Sequence, residues 1–374
     1  MTTFVLDARS IRDHFPGIGR YAYRLALALA DFFPEYTLRV LSDSRARNSR
    51  FDLEALWARP NVERVDARAN FFSWREQRLA FDARVTARAN AFHSPYYALP
   101  YALSVPKIVT LADVTPLVWR AEMPNAFKRV AYRALNQLAA RRAQMIITFS
   151  DASRAELERI LKIPRAKISI VPLAADENFT PPTCAEIQRA HDALTLPEKY
   201  ALYMGSNKPH KNLPRLVEAW SQVESDTVLV IAGAWDARYP QARELVARLN
   251  LNDRVLFRHN LAERALPALI GGAQLFIFPS AHEGFGLPPL EALACGAPVA
   301  CARVSSLPEV VGDAAFFFDA ADTQNIAQTL SDALNDAAAR ATFRARGLAR
   351  AAQFSWERVA RETMRVYQHA RAKT

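Results

Sequence analysis

At 374 residues the chain is longer than one ordinary hydrophobic core accommodates, so two domains are expected. Its composition, 51% hydrophobic and 23% charged with no low-complexity tract, is that of a soluble globular protein. No apolar run approaches the ~20 residues of a spanning helix, and the opening "MTTFVLDARSIRDHF" carries Asp7 where a secretory signal needs an apolar core. The three cysteines, Cys184, Cys295 and Cys301, form no CxxC pair and leave one over, which fits a reducing, cytoplasmic compartment.

The net charge of +10 is unevenly placed. Residues 1–175 hold 27 Lys and Arg against 16 Asp and Glu, whereas residues 176–374 hold 21 against 22. A basic half suits a phosphate-bearing partner such as nucleic acid, anionic lipid or a phosphorylated substrate. Solvated arginine-rich faces account for it equally well.

Short apolar runs alternate with helix-length segments along the chain. The first series is 3–8, 37–42, 62–67, 91–94, 107–113, 145–150 and 168–173; the second is 200–205, 227–233, 254–259, 275–280, 298–302 and 315–319. Such runs, bridged by segments like "LPRLVEAWSQV" (213–223) and "NIAQTLSDALND" (325–336), predict βα units and parallel sheets. The polar, proline-bearing stretch 176–188 separates the series. The expectation is α/β with two doubly wound Rossmann-like domains, 1–176 and 189–355, and a ligand cleft at the carboxyl ends of the strands. A final amphipathic helix over 356–372, N-capped by Ser355, follows the second domain.

Three strand-to-helix loops carry candidate chemistry. In "HEGFGLPPLEALACG" (282–296), Glu283 sits in the loop and Glu291 in the first helical turn, with Gly284 and Gly286 opening the backbone to a ligand. An acid near a helix start also simply suits the macrodipole, so function and architecture explain this stretch equally. In "GSNKPHKNL" (205–213), Lys208 and Lys211 face the same edge as Glu283, as cations that hold a diphosphate do. In "DHFPGIGRYAYRL" (13–25), Pro16, Gly17 and Gly19 precede a helix without completing G-x-G-x-x-G. "SSLPE" (305–309) fits a capping box of Ser306 with Glu309, His93 fits a satisfied histidine at a strand end, and "FKRVAYRALNQLAARRA" (127–143) fits a basic amphipathic helix. No Asp-x-Asp pair, no G-x-x-x-x-G-K-[ST] and no His/Cys metal spacing occurs, so lysines and backbone amides are expected to hold any phosphate.

These motifs together resemble the retaining GT-B glycosyltransferases of family four, in particular bacterial mannosyltransferase-like members of surface polysaccharide synthesis. The likeness runs from "DARSIRDHFPGIGRYAYRL" through "FHSPYYALP", "GSNKPHKNLPRLVEAW" and "PSAHEGFGLPPLEALACGAPVA" to "SSLPEVVGDAA" and "FSWERVA". The resemblance implies that Glu283, Lys211 and Asp113 are catalytic. It implies donor contacts from Glu291, Lys208, Gly205 and Ser206, and from Gly284, Phe285, Gly286 and Leu287, with Gly17 and Gly19 shaping the acceptor-side loop. It further implies a nucleotide-sugar donor, GDP-mannose, a glycan or lipid-diphosphate-linked acceptor, no metal or other cofactor, and a final helix that braces the first domain. An anionic membrane surface is a further expected partner; nucleic acid is not.

The chain departs from the family pattern at three positions. Ala112 stands for the usual His before Asp113, His210 for the usual Arg, and Ala174 for the usual Gly. Ala112 raises the alternative of a non-catalytic nucleotide-sugar-binding partner subunit. A nucleic-acid-binding protein lacks any module here, and a glycosidase built on the two glutamates would need water as acceptor.

Overall fold

The computed structural model describes residues 2–259 and 261–372. Within it the chain divides into two compact units. One comprises the residues up to Leu117, Asn125–Leu173 and those from Ser355 onward; the other comprises Val118–Pro124 and Ala174–Phe354. The short excursion Val118–Pro124 into the second unit carries no mark in the sequence pattern.

Each of the thirteen apolar runs forms a strand. In the first unit these are β1 Thr3–Asp7, β2 Thr37–Ser42, β3 Val62–Asp66, β4 Ala89–Ser94, β5 Lys107–Thr110, β6 Met145–Thr148 and β7 Ile168–Ile170, in the order β3-β2-β1-β4-β5-β6-β7. In the second unit they are β8 Tyr200–Met204, β9 Val228–Ala232, β10 Val255–Arg258, β11 Leu275–Phe278, β12 Val299–Ala302 and β13 Ala315–Phe318, in the order β10-β9-β8-β11-β12-β13. All pairings are parallel. Both sheets are doubly wound, the α/β class expected, because parallel strands buried on both faces need helices on each side. The direction of winding reverses at β1/β4 in the first sheet and at β8/β11 in the second.

Sequence pattern explains the local choices. Central strands such as β8 and β11 are buried throughout, which an unbroken apolar run permits and an alternating one does not. The helix Pro16–Phe32 starts with proline at its first positions, where a missing N–H costs nothing. Gly17 and Gly19 therefore lie inside its first turn rather than ahead of it. A Cβ on Gly19 would stand 2.8 Å from the Ser10 carbonyl oxygen, so this glycine lets the helix approach the preceding loop. Gly17 is exposed, and a Cβ there meets nothing within 4 Å.

The last helix, Trp356–Ala372, belongs to the first unit, packing on Pro16–Phe32 and on β4 to β6. Ser355 caps it, its Oγ accepting the Arg358 N–H at 3.2 Å. His93 in β4 joins this helix to the sheet: Nδ1 lies 2.8 Å from the Tyr367 hydroxyl and Nε2 2.8 Å from the Thr110 hydroxyl. Both ring nitrogens are thus satisfied, and burial pushes the imidazole down to about 3, holding it neutral.

Protonating His93 favours the unfolded chain, where its pKa is about 6.5. The stability this site contributes is complete above that value and falls away as pH drops towards the folded value. At about 1.4 kcal/mol per pH unit, roughly 2–3 kcal/mol is lost between pH 6.5 and 4.5. Urea melts at the two pH values should show this loss in the wild type and a shallower pH dependence in His93→Gln.

Candidate active site

The loops that follow β8 and β11 leave adjacent strands in opposite directions, which is where open parallel sheets take ligands. The two loops are bonded to each other. Ala281 N–H donates to the His210 carbonyl at 2.8 Å, and Asn212 Nδ2 donates to the carbonyls of Pro279 (3.2 Å) and Ala320 (2.9 Å). Asn212 occupies the left-handed region at φ 59°, which asparagine tolerates better than most residues.

Between these loops, Lys211 Nζ lies 2.6 Å from Glu283 Oε1, with both side chains largely covered at 14% and 12% exposure. The ammonium also sits 5.1 Å from the centre of the Phe278 ring, a cation–π contact that places it against the end of β11.

Glu283 is fixed through its backbone. Ser305 Oγ accepts the Glu283 N–H at 3.1 Å and donates to its carbonyl at 2.6 Å. Ser306 Oγ reaches the carbonyls of Glu283 (3.0 Å) and Phe285 (2.7 Å). Ser306 is therefore no capping box: it precedes helix Leu307–Val311 but makes no side-chain cap, because its hydroxyl is committed to the glycine loop.

The loop ends at Gly286, with φ 103°, where a Cβ would stand 2.6 Å from Leu307 Cδ2. Only glycine combines that conformation with that approach. Helix Leu287–Ala294 follows. The N–H groups of Phe285, Gly286 and Leu287, at the start of this helix, take no acceptor among the described residues. Gly284 is buried in the same loop, and the Phe285 ring packs inward on Phe354 at 6.1 Å.

Glu291 is the fifth residue of this helix, beyond the first turn where spacing had placed it, and only 3% exposed. Burial first, and then the charge of Glu291, push the Cys295 thiol up to about 12, so that thiol is inert.

The β8 loop departs from expectation at Lys208. This lysine does not converge with Lys211 on Glu283; it lies 3.5 Å from Glu122, in the excursion Val118–Pro124. His210 Nδ1 also bonds Glu122. Burial raises the Glu122 carboxyl, but the His210 hydrogen bond and the charges of His210 and Lys208 outweigh it and leave the group below its ordinary value.

Gly205 and Ser206 open this loop. A Cβ on Gly233 would stand 2.3 Å from the Gly205 carbonyl, and Tyr203 donates to the Ser206 carbonyl at 2.6 Å. Asn207 completes the edge by bonding the backbone of Asp236 and Tyr239.

Asp113, Gly17 and Gly19 belong to the first unit. Asp113 follows β5, half-buried, its Oδ1 accepting the Thr115 N–H at 2.8 Å. Among the described residues no group of three or more His, Cys, Asp or Glu side chains is placed to hold a metal ion, and no helix is long and apolar enough to cross a membrane.

Sequence reasoning missed Glu122, Ser305 and Asn212. Glu122 had no local signal, since its partner is 88 positions away. The serine pair was visible but assigned to a cap.

Comparison with known proteins agrees with this architecture. The description "glycosyl transferases group 1" belongs to the family model that matches residues 185–350, and "glycosyl transferase 4-like domain" to the one that matches 16–174. HepE of Anabaena, solved in complex with UDP and glucose, superposes with a TM-score of 0.77 at 18% identity, over 99% of this chain and 100% of that one. Fold and family matches thus define a glycosyltransferase of GT-B architecture.

The O-antigen chain mannosyltransferase B of Escherichia coli is 33% identical over 281 residues, covering 74% of this chain and 73% of the relative. The serotype-specific mannosyltransferase WbdA of the same organism is 32% identical over 243 residues, 60% of this chain but 29% of that longer protein. The chain belongs to the glycosyl transferases group 1 family.

Gly286 and Gly17 should part company on substitution. Gly286→Ala forces a left-handed alanine into Leu307 and should lower the unfolding free energy by roughly 2–4 kcal/mol. Gly17→Ala fills open space in a helix and should be neutral or gain up to about 1 kcal/mol. Denaturant melts of the two variants check the contrast.

Proposed function

We propose that this protein transfers mannose from GDP-mannose to a glycan or lipid-diphosphate-linked acceptor, with retention of configuration and without a metal ion. The observation that carries the reading is Lys211 paired with Glu283 beside three open N–H groups at a helix start. A diphosphate needs a cation and aligned donors, and both are present at one point. The names of the relatives support mannose, and the UDP bound by the Anabaena neighbour supports a nucleotide sugar.

In this mechanism the diphosphate seats on the amides of Phe285, Gly286 and Leu287, with Lys211 neutralising the charge that grows as the sugar–phosphate bond breaks. Glu283, already held by Ser305 and Ser306, accepts hydrogen bonds from the donor sugar's hydroxyls and stabilises the positive charge developing on its ring. Glu291 takes the ribose hydroxyls, Lys208 adds charge at the loop margin, and Asp113 contributes from the first unit. The departing diphosphate receives the acceptor's proton, so no protein base is required. Work at the cytoplasmic face of a membrane, in polysaccharide or lipopolysaccharide synthesis, is supported by helix Ala126–Arg142. That helix leaves Phe127 81% and Val130 67% exposed beside Lys128. A non-catalytic donor-binding subunit is the second reading, favoured by Ala112, whose side chain offers a sugar no hydrogen bond.

Thermal shift with GDP-mannose, UDP-glucose, UDP-N-acetylglucosamine and dTDP-rhamnose in EDTA tests the reading. At about 100 times Kd, GDP-mannose should add roughly 2.7 kcal/mol of stability, lost in Glu291→Ala. Transfer to mannosyl acceptors should fall about 10²–10³-fold in Lys211→Ala. Binding that requires a divalent ion, or full transfer by Lys211→Ala, contradicts it; binding without any transfer selects the second reading.

A further inference from the structure

The first unit exposes large aromatic side chains where a stable fold has no need of them. Phe72, Trp74 and Phe81, within ten residues, are 43%, 63% and 78% exposed. Trp74 and Phe81 line a groove of about 800 Å³ off the carboxyl end of the edge strand β3, together with Arg68, Arg75, Arg78, Arg84, Asp66 and Asp82, and Phe72 lies two residues before Trp74. Clustered exposed apolar surface of this kind marks a binding face.

From the groove a run of aromatic contacts crosses the carboxyl edge of the sheet. Phe72 meets Tyr97 at 5.0 Å between ring centres, and Tyr97 meets Tyr132 at 5.1 Å. The run joins the loops after β3 and β4, and Asp113, the acid expected in catalysis, follows β5, the strand beside β4 on the same edge.

The position of Phe72 is built in. Its φ of 61° is a conformation that bulky residues rarely adopt. It is held there by its N–H donating to Glu76 Oε2 at 2.8 Å. Glu76 is buried and bonds Arg9 at 2.8 Å; Arg9 in turn bonds Asp7 at 2.6 Å and the Ala69 carbonyl at 2.8 Å. A buried ion triad therefore fixes the loop that presents the ring.

We propose that this edge is a track for the carbohydrate acceptor chain, entering over Trp74 and Phe81 and passing Phe72 and Tyr97 towards Asp113. It rests on the reading of a glycan acceptor given above and names where that glycan lies. The chemistry of the groove selects a sugar. Arg75 and Arg78 stack at 5.7 Å and 5.4 Å on the Trp74 ring, and neither pairs with a carboxylate among the described residues. Asp66 and Asp82 are each paired with an arginine, at 2.7 Å, and add acceptor oxygens to the groove. Sugar rings present C–H faces that pack on aromatic rings, and hydroxyls that both donate to carboxylates and accept from guanidiniums.

The test uses a mannan-derived ladder from disaccharide to octasaccharide, with affinity read by calorimetry on wild type, Trp74→Ala, Trp74→Tyr and Phe72→Ala. The wild type should bind the octasaccharide at least tenfold tighter than the disaccharide. Trp74→Ala and Phe72→Ala should lose most of that gain, Trp74→Tyr should keep it, and disaccharide binding should stay constant. Equal affinity for long and short chains, or an unchanged Trp74→Ala, overturns the track. So does a result in which Trp74→Ala loses binding to phosphatidylglycerol vesicles but not to the octasaccharide. The GDP-mannose thermal shift is recorded on the same proteins. If that shift is absent while the length effect depends on Trp74, the donor reading falls and the track stands; if the shift is intact and the length effect absent, the track alone falls.

Discussion

A lysine and a glutamate withdrawn from water beside each other are stable only if their geometry is supplied by the surroundings. Lys211 and Glu283 meet that condition. The Phe278 ring backs the ammonium, Ser305 and Ser306 hold the backbone under the carboxylate, and Asn212 ties the two loops together. The glycine at the loop's end then follows as a requirement: Gly286 adopts positive φ against Leu307 where the loop that carries Glu283 turns into the helix. The constraint at this one point links strand order, loop sequence and the placing of a buried charge pair.

The distribution of charge gains meaning from the same geometry. The arginine surplus of residues 1–175 lies outside the paired loops that carry Lys211 and Glu283. Part of it serves structure, as in Arg9 buried between Asp7 and Glu76, and part lines the aromatic groove at β3. In the second unit, the β8 loop places Lys208, His210 and Lys211 close together in the chain; Glu122 answers Lys208 and His210, and Glu283 answers Lys211.

Most of the fold was legible because period and run length report burial directly. Thirteen apolar runs became thirteen strands, and the break between two series marked two sheets. The site was legible in its residue types and less so in its connections. Lys211 with Glu283 could be inferred as neighbours on one sheet edge, since both follow strands at their carboxyl ends. The turn of the helix that carries Glu291 depends on where the helix begins, and the glycine at its start moved that boundary. Ser306 has the spacing of a capping box, yet a tertiary demand from the glycine loop took its hydroxyl. Glu122 lies in a segment that leaves one unit for the other, and no local pattern encodes such an excursion.

Hydrogen–deuterium exchange of the protein with and without GDP-mannose, in EDTA, tests the central claim most directly. The account predicts new protection at the amides of residues 285–287, accompanied by slower exchange across 205–212. Protection that leaves both loops unchanged would contradict it.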